Sequence, residues 1–364
     1  MKRDAIMSFL SSLVVLAIGL LVGFLILLFS NASAAWDAFS TILTFGFSSL
    51  RNVGDMLQGA TPIIMTGLSV AFAFKTGLFN IGATGQFAFG GLVAILIGLN
   101  FEGMPSGLRI LFALTAATAA GALWGAIPGI LKAYRNVHEV ISCIMTNYIG
   151  MFLVGYFIER HAFFAVENRS ATLPADSNLP TLGFENIFRS EILPGVYRSS
   201  SVNVGIIIAV VAAVLIYIIL EKTTFGYELK ACGFNRDAAK YAGISENRNI
   251  VSAMMISGAL AGLGGALLYM SGTVHITAGN VLLPYGFTGI SVAFLGLSNP
   301  IGIIFSGALV SHLFLGGARI QLNFPIEIVE IVISIIIYFC AFVFLVKTFL
   351  GKYISKLFKR GETT

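Results

Sequence analysis

The chain has 364 residues, of which 57% are hydrophobic and only 11% charged, and its mean hydropathy is +0.90. Soluble domains carry about 25% charged residues, so this composition excludes a water-soluble globular protein and defines an integral membrane protein. The net charge of +5 follows from how Lys and Arg are shared among the loops, and it calls for no nucleic-acid partner.

A hydrocarbon core of roughly 30 Å needs about 20 apolar residues in a helix, and fewer where a helix is broken. Ten spans are predicted on that basis: 7–29, 61–74, 85–99, 108–131, 137–158, 202–220, 250–271, 283–297, 301–317 and 326–346. The fold class is therefore all-α and polytopic, with residues 1–364 read as one transmembrane domain. The first run follows Lys2-Arg3 and precedes Ala32-Ser33-Ala34, the order of a secretory signal. At 9–29 it is too long for a signal core, and it is expected to remain as an uncleaved helix.

Lys and Arg accumulate in cytoplasmic loops. With the N-terminus inside, Arg51, Arg109, Arg160, Arg169, Arg189, Arg198 and Arg319 fall outside, and the rest of the 22 basic residues, every lysine among them, fall inside. An even number of spans returns the C-terminus to the same side.

Between the second and third spans lies Lys75-Thr-Gly-Leu-Phe-Asn-Ile-Gly-Ala-Thr-Gly-Gln86, too polar for a lipid-facing helix. Its Gly82-Ala83-Thr84-Gly85 is echoed by Gly286-Phe287-Thr288-Gly289 at the start of the eighth span. Five spans apart means opposite orientation, so an inverted five-plus-five repeat with broken third and eighth helices is expected, a transporter hallmark.

Two connections are long. Residues 159–201, outside, contain Pro174, Pro180 and Pro194, which prevent a long regular helix, and they are expected to offer a docking surface to an extracytoplasmic partner. Residues 221–249, inside, carry Asn235 as an N-cap, a short helix-forming run from Arg236 to Ala242, and Gly243 to end it in a left-handed cap. Ala238, Ala239 and Ala242 are expected to give that helix a smooth face for another protein.

Motifs for catalysis are missing from the sequence. There is no Gly-x-x-x-x-Gly-Lys-Ser/Thr phosphate loop, so any ATP is hydrolysed by another chain. His138-Glu139 is followed by no second His, and no Gly-x-Ser-x-Gly elbow occurs. Cys143, Cys232 and Cys340 imply no disulfide framework. Neither enzymatic activity nor a bound metal or cofactor is expected.

Glu139, Glu327 and Glu330 lie near span ends, where a carboxylate meets water. Gln86, Thr146, Asn147, Thr288, Ser291 and His312 lie within or beside spans, where each must find a partner. Each could join helices by a hydrogen bond, and together they could line a path for a neutral solute. Asn80 and Gln86 could equally satisfy backbone groups freed by the break. Phe87 and Phe89 add aromatic surface. Gly121, Gly125 and Gly129, like Gly258 and Gly262, recur at the four-residue spacing that lets helix backbones touch.

Thr61-Pro62-Ile63, then Gly77-Leu-Phe-Asn-Ile-Gly-Ala-Thr-Gly-Gln86, then Val137-His-Glu-Val-Ile-Ser-Cys-Ile-Met-Thr-Asn-Tyr148, then Gly226-Tyr-Glu-Leu-Lys-Ala-Cys-Gly233 with Asn235 and Ala242-Gly243-Ile244 form a recognisable series. It resembles the permease subunits of bacterial ABC importers for nucleosides, the branch related to ribose and branched-chain amino acid permeases, over about 61–346. The resemblance implies a multi-pass protein of the bacterial cytoplasmic membrane, surrounded by lipid, with both termini cytoplasmic. It assigns docking to the ATPase to Gly226, Tyr227, Gly233, Asn235, Ala238, Ala239 and Gly243. It also implies three partners: an ATPase chain with two fused nucleotide-binding domains that holds ATP and magnesium, a second homologous permease, and a substrate-binding lipoprotein. The expected solute path is Asn80, Gln86, Phe89, Asn147, Thr288 and Ser291. Thr84 stands where the family often has Glu, and His138 where it often has Asn. The alternatives are a simple sugar such as ribose or galactose, riboflavin or a branched-chain amino acid as solute, a stand-alone proton-coupled carrier, and a receptor or structural membrane protein.

Overall fold

Within a bilayer no water is available to backbone amides, which restricts spanning segments to helices and closed barrels; this chain takes the helical solution. The computed structural model describes residues 2–161, 163–164, 169–277, 283–321, 323–340, 342–343 and 345–348. In chain order the elements are α1 (Lys2–Ser30), α2 (Ala35–Thr44), α3 (Leu50–Lys75), α4 (Ala83–Asn100), α5 (Ser106–Arg135), α6 (Glu139–His161), the hairpin β1 (Phe163–Phe164) and β2 (Arg169–Ser170), and α7 (Phe184–Ile187). There follow the hairpin β3 (Arg189–Leu193) and β4 (Val196–Ser199), then α8 (Gly205–Lys222), α9 (Thr224–Phe234), α10 (Arg236–Tyr241), α11 (Glu246–Tyr269), α12 (Tyr285–Leu295), α13 (Pro300–Ile320) and α14 (Ile326–Cys340).

Every predicted span falls on a helix, and eight helices are long and apolar enough to cross a membrane. The eighth expected span is different in kind. Helix α12 has 11 residues, about 16 Å at 1.5 Å per residue, half of a bilayer core. The tenth, α14, has 15 residues before the description is interrupted at 341.

Two features depart from the sequence expectation. Helix α3 begins at Leu50, well before Thr61, because Ser49 caps it by accepting from the Asn52 amide at 3.2 Å and because Arg51 and Asp55 pair at 3.5 Å on its first turns. Those charges dilute the hydropathy without ending the helix. Helix α2 was not expected at all: Ala35, Ala38 and Ile42 turn inward at helical spacing while Trp36 faces out. It packs on α13 where Gly316 admits Ile42.

Helix α11 is the centre of the bundle. Its Gly258 and Gly262 meet Gly121 and Gly125 of α5 so closely that a Cβ on any of the four would strike the backbone opposite. Helix α11 packs on α4 and α5, and α3 packs on α12 and α13. Since α3 and α11 are the second and seventh spans, and α4 and α12 the third and eighth, each helix holds the partners that a two-fold inverted repeat requires.

The described part of the long connection before α8 is tied to the bundle. Arg109, fully buried at the start of α5, pairs with Asp176, and Ser177 donates to the Gly98 carbonyl at 2.9 Å. The Ser201 amide donates to Asp55 at 3.0 Å.

Overpacking a tight helix contact costs about 1–3 kcal/mol. Gly262→Leu is expected to lower the melting temperature of the purified chain in detergent, while Gly103→Ala, with nothing within 4 Å of the added carbon, leaves it unchanged. A thermal unfolding comparison of the two variants checks this.

Candidate functional site

Helix α3 ends at Lys75 and α4 begins at Ala83, so residues 76–82 carry non-helical backbone into the bundle. Asn80, fully buried, is the hub that holds them. Its Nδ2 donates to Gln86 Oε1 at 2.8 Å and to Ser257 Oγ at 2.7 Å, and its Oδ1 accepts from Gln86 Nε2 at 3.3 Å and faces Cys143 Sγ at 3.6 Å. Ser257, midway along α11, donates its own hydroxyl to the Ser69 carbonyl of α3 at 2.7 Å. Asn147 of α6 is the second clamp: its Oδ1 accepts from the Gly85 amide at 2.8 Å, and its Nδ2 donates to the Ile81 carbonyl at 3.0 Å. A buried amide or carbonyl without a partner costs about 1–3 kcal/mol; Asn147 relieves that cost for the backbone at Gly85 and Ile81, while Asn80 and Gln86 satisfy each other and Ser257 rather than backbone groups.

The two Gly-x-Thr-Gly segments meet head to head. Gly286, at the start of α12, lies against the backbone and side chain of Thr84, at the start of α4, with no room for a Cβ between them. Thr84 is buried, and among the described residues its hydroxyl has no hydrogen-bond partner. Phe87 stacks on Tyr285 at 5.1 Å across the same junction. Two helix N-termini, each equivalent to roughly half a positive charge, therefore converge inside the bundle.

Beside this junction a cleft of about 640 Å³ opens between α12, α13 and α14, within the range of about 300–1,000 Å³ typical of small-molecule sites. Thr288 and Ser291 stand in it, with the aromatic faces of Phe287, Phe314 and Tyr338 and with Gln321 and Glu330. The sequence-predicted path residues thus separate into two groups. Thr288 and Ser291 line the cleft, whereas Asn80, Gln86 and Asn147 form the internal network. Phe89 belongs to neither: it stacks on Trp124 of α5 at 4.5 Å. His312 ties α13 to the end of α2 through the Leu43 carbonyl at 3.0 Å, and Glu139 pairs with Lys132 at 2.9 Å. Gln321, Glu330 and Tyr338 were missed as cleft residues, since their common face emerges only once α13 and α14 are placed against α12.

On the lysine-bearing end of the bundle, α9 and α10 form a short helical elbow. Asn235 caps α10 by accepting from the Ala238 amide at 3.0 Å, and Gly243, at φ +81°, ends it. Gly226 is pressed against the end of α8, and Gly233 against Lys75 to Gly77, the first residues of the break. The alanine face is split in exposure: Ala238 and Ala242 are exposed and Ala239 is only 4% exposed, yet all three line one groove. Tyr227, Phe234 and Tyr241 project instead, the last two 91% and 94% exposed. A groove of about 440 Å³ runs among Tyr227, Phe234, Asn235, Ala238 and Ala242.

Many crossing helices, a half-length helix meeting a broken one, and a polar cleft beside their junction define a membrane permease. The chain belongs to the family described as branched-chain amino acid transport system / permease component, whose model matches residues 52–341. It is 39% identical over 342 residues to the guanosine ABC transporter permease protein NupP of Bacillus subtilis, covering 93% of this chain and 95% of that one. It is 36% identical over 354 residues to the nucleoside ABC transporter permease protein NupB of Lactococcus lactis, covering 97% and 95%. It is 30% identical over 310 residues to the glucose ABC transporter permease protein TsgB13 of Haloferax volcanii, covering 83% and 79%. No solved structure matches.

The Asn80–Ser257 bond is testable by a double-mutant cycle. Hydrogen bonds between membrane helices measured in this way average about 0.6 kcal/mol and reach about 1.7. Asn80→Ala and Ser257→Ala are expected to show a coupling in that range in denaturant titration of the purified chain, and additive effects would place the two residues outside one network.

Proposed function

We propose that this chain is one membrane half of an ATP-driven importer that carries nucleosides across a bacterial cytoplasmic membrane. The observation that carries the solute class is the match, over more than nine-tenths of this chain, to permeases named for guanosine and for nucleosides. A simple sugar is the second reading, supported by the glucose permease at 30% identity.

The second half is a different, homologous permease. Bacillus subtilis and Lactococcus lactis each hold a further permease of the same naming, NupQ and NupC, and both are 27% identical to this chain over 71% of its length. A binding lipoprotein on the arginine-bearing face and an ATPase with two fused nucleotide-binding domains on the lysine-bearing face complete the assembly. The lysine-bearing face is cytoplasmic by the positive-inside rule, which puts both termini there.

In this assembly the solute moves along the α12–α14 cleft. Phe287, Phe314 and Tyr338 offer faces for a base, and Thr288, Ser291 and Gln321 offer hydrogen bonds to a base edge or ribose hydroxyl. Asn80, Gln86 and Asn147 hold the floor of that path rather than change partners with the solute. The ATPase takes up the elbow of α9 and α10, with Tyr227, Phe234 and Tyr241 as anchors on it. Gly226, Gly233, Asn235 and Gly243 shape the elbow, and Ala238, Ala239 and Ala242 keep it narrow.

With the ATPase, second permease and lipoprotein reconstituted in proteoliposomes, labelled guanosine or inosine is expected to enter in an ATP-dependent way and to outcompete ribose, galactose and riboflavin. Preferred uptake of a sugar replaces the solute assignment, and uptake by this chain alone on a pH gradient replaces the mechanism. In the same system Tyr241→Glu, at an exposed interface aromatic, is expected to slow uptake by at least about tenfold while leaving the chain folded. Ala239→Asp, which buries a charge, lowers stability first, and thermal unfolding separates the two effects.

A further inference from the structure

A second large cavity belongs neither to the solute cleft nor to the elbow. It is a groove of about 690 Å³ between α1, the α12–α13 connection and α13, on the lysine-bearing side of the bundle. Leu13, Leu16 and Phe305 form its apolar wall, and Lys75, Lys347 and Asn299 its polar end. Phe305 is 72% exposed and Leu13 stands open beside it, so the groove faces outward, toward lipid.

Among the described residues neither Lys75 nor Lys347 has an ion-pair partner. Glu221, whose charge reaches Lys75, is already bound to Lys230 at 3.2 Å. The sequence after Lys347 is itself net basic, with Lys352, Lys356, Lys359 and Arg360 against a single acidic side chain, Glu362. The N-terminus of α13 also opens here, its first amides capped by Asn299 at 2.9 and 3.4 Å, which adds a positive dipole end to the two lysines.

We infer that this groove binds an anionic glycerophospholipid of the adjoining leaflet, its phosphate between Lys75 and Lys347 and its acyl chains along Leu13, Leu16 and Phe305. Two cations at the polar end of an otherwise apolar, outward-facing groove match a ligand with a negative head and hydrocarbon tails, and basic pockets between membrane helices hold anionic headgroups in this way. An uncharged helix of another protein would leave both lysines unpaired in a desolvated contact. The inference rests on membrane placement and not on the solute, so failure of nucleoside uptake leaves it standing.

The test uses the full chain purified in a neutral detergent, with phosphatidylglycerol, phosphatidylcholine and sn-glycerol 1-phosphate as separate probes read by native mass spectrometry and thermal unfolding. Phosphatidylglycerol is expected to bind and to raise the melting temperature, and the other two are not. The double variant Lys75→Gln/Lys347→Gln is expected to weaken phosphatidylglycerol by roughly thirty-fold, about five-fold per lysine, and Lys75→Arg/Lys347→Arg to retain it. Should the double glutamine variant not fold, Lys347→Gln alone is expected to show the five-fold loss. Equal binding of phosphatidylcholine, equal stabilisation by glycerol phosphate, or unchanged affinity in a folded glutamine variant overturns the proposal. So does a photo-crosslink from position 305 that captures the second permease in place of lipid in the assembled importer.

Discussion

A chain that leaves helical geometry inside a bilayer frees amides and carbonyls that water cannot reach, and the rest of this structure depends on how those groups are satisfied. Asn147 answers for Gly85 and Ile81, and Asn80 binds Gln86 and Ser257. Asn147 suits the task because a side-chain amide can donate and accept at once and a broken helix start has both kinds of orphan group, whereas Asn80 ties the segment to α11 through side chains alone. Ser257 lies on α11, which is fixed to α5 through backbone contacts at Gly121, Gly125, Gly258 and Gly262. The break is therefore held rigidly by the most tightly packed pair of helices in the bundle.

Rigidity at the break gives the neighbouring cleft its electrostatic character. The N-termini of α4 and α12 converge, and their partial positive charges add. Glu330 lines the same cleft, a negative charge that opposes those positive ends, beside hydroxyl, amide and aromatic side chains. Glu139 does not alter this balance, since Lys132 neutralises it at the helix end.

The sequence was most legible where one residue type has few uses. Ten apolar runs became ten helices, Asn235 and Gly243 bracketed α10 as their capping chemistry requires, and the repeated Gly-x-Thr-Gly marked two helix starts that touch. It was least legible where a residue's role depends on which way a helix is rotated. Ala239 has the same composition-level signal as Ala238 and Ala242 yet is buried, while Phe234 and Tyr241, ordinary in so aromatic a chain, are the most exposed rings of the elbow. Asn80 and Gln86 carried two readings in sequence because an intramembrane amide looks the same whether its partner is a solute or a serine on another helix. The start of α3 was misjudged for a simpler reason: hydropathy counts Arg51 and Asp55 as two charges, and the folded chain pairs them.

Close glycine contacts also link the elbow to the α12–α14 cleft. Gly233 of α9 touches the backbone from Lys75 to Gly77, that segment leads within a few residues to Asn80, and the helix that starts just beyond it meets α12 at Gly286. Side chains absorb a displacement by changing rotamer, but backbone pressed on backbone has no such freedom, because packed interiors transmit strain rather than dissipate it. A force applied to α9 is therefore passed to the loop at 75–77 before any side chain can yield. Asn80 binds the break to Ser257 on α11, and the half-length α12 is held at its two ends by Phe87 against Tyr285 and by Phe74 and Phe79 against Phe294. Since α12 carries Thr288 and Ser291, any displacement of it would change the shape of the cleft itself.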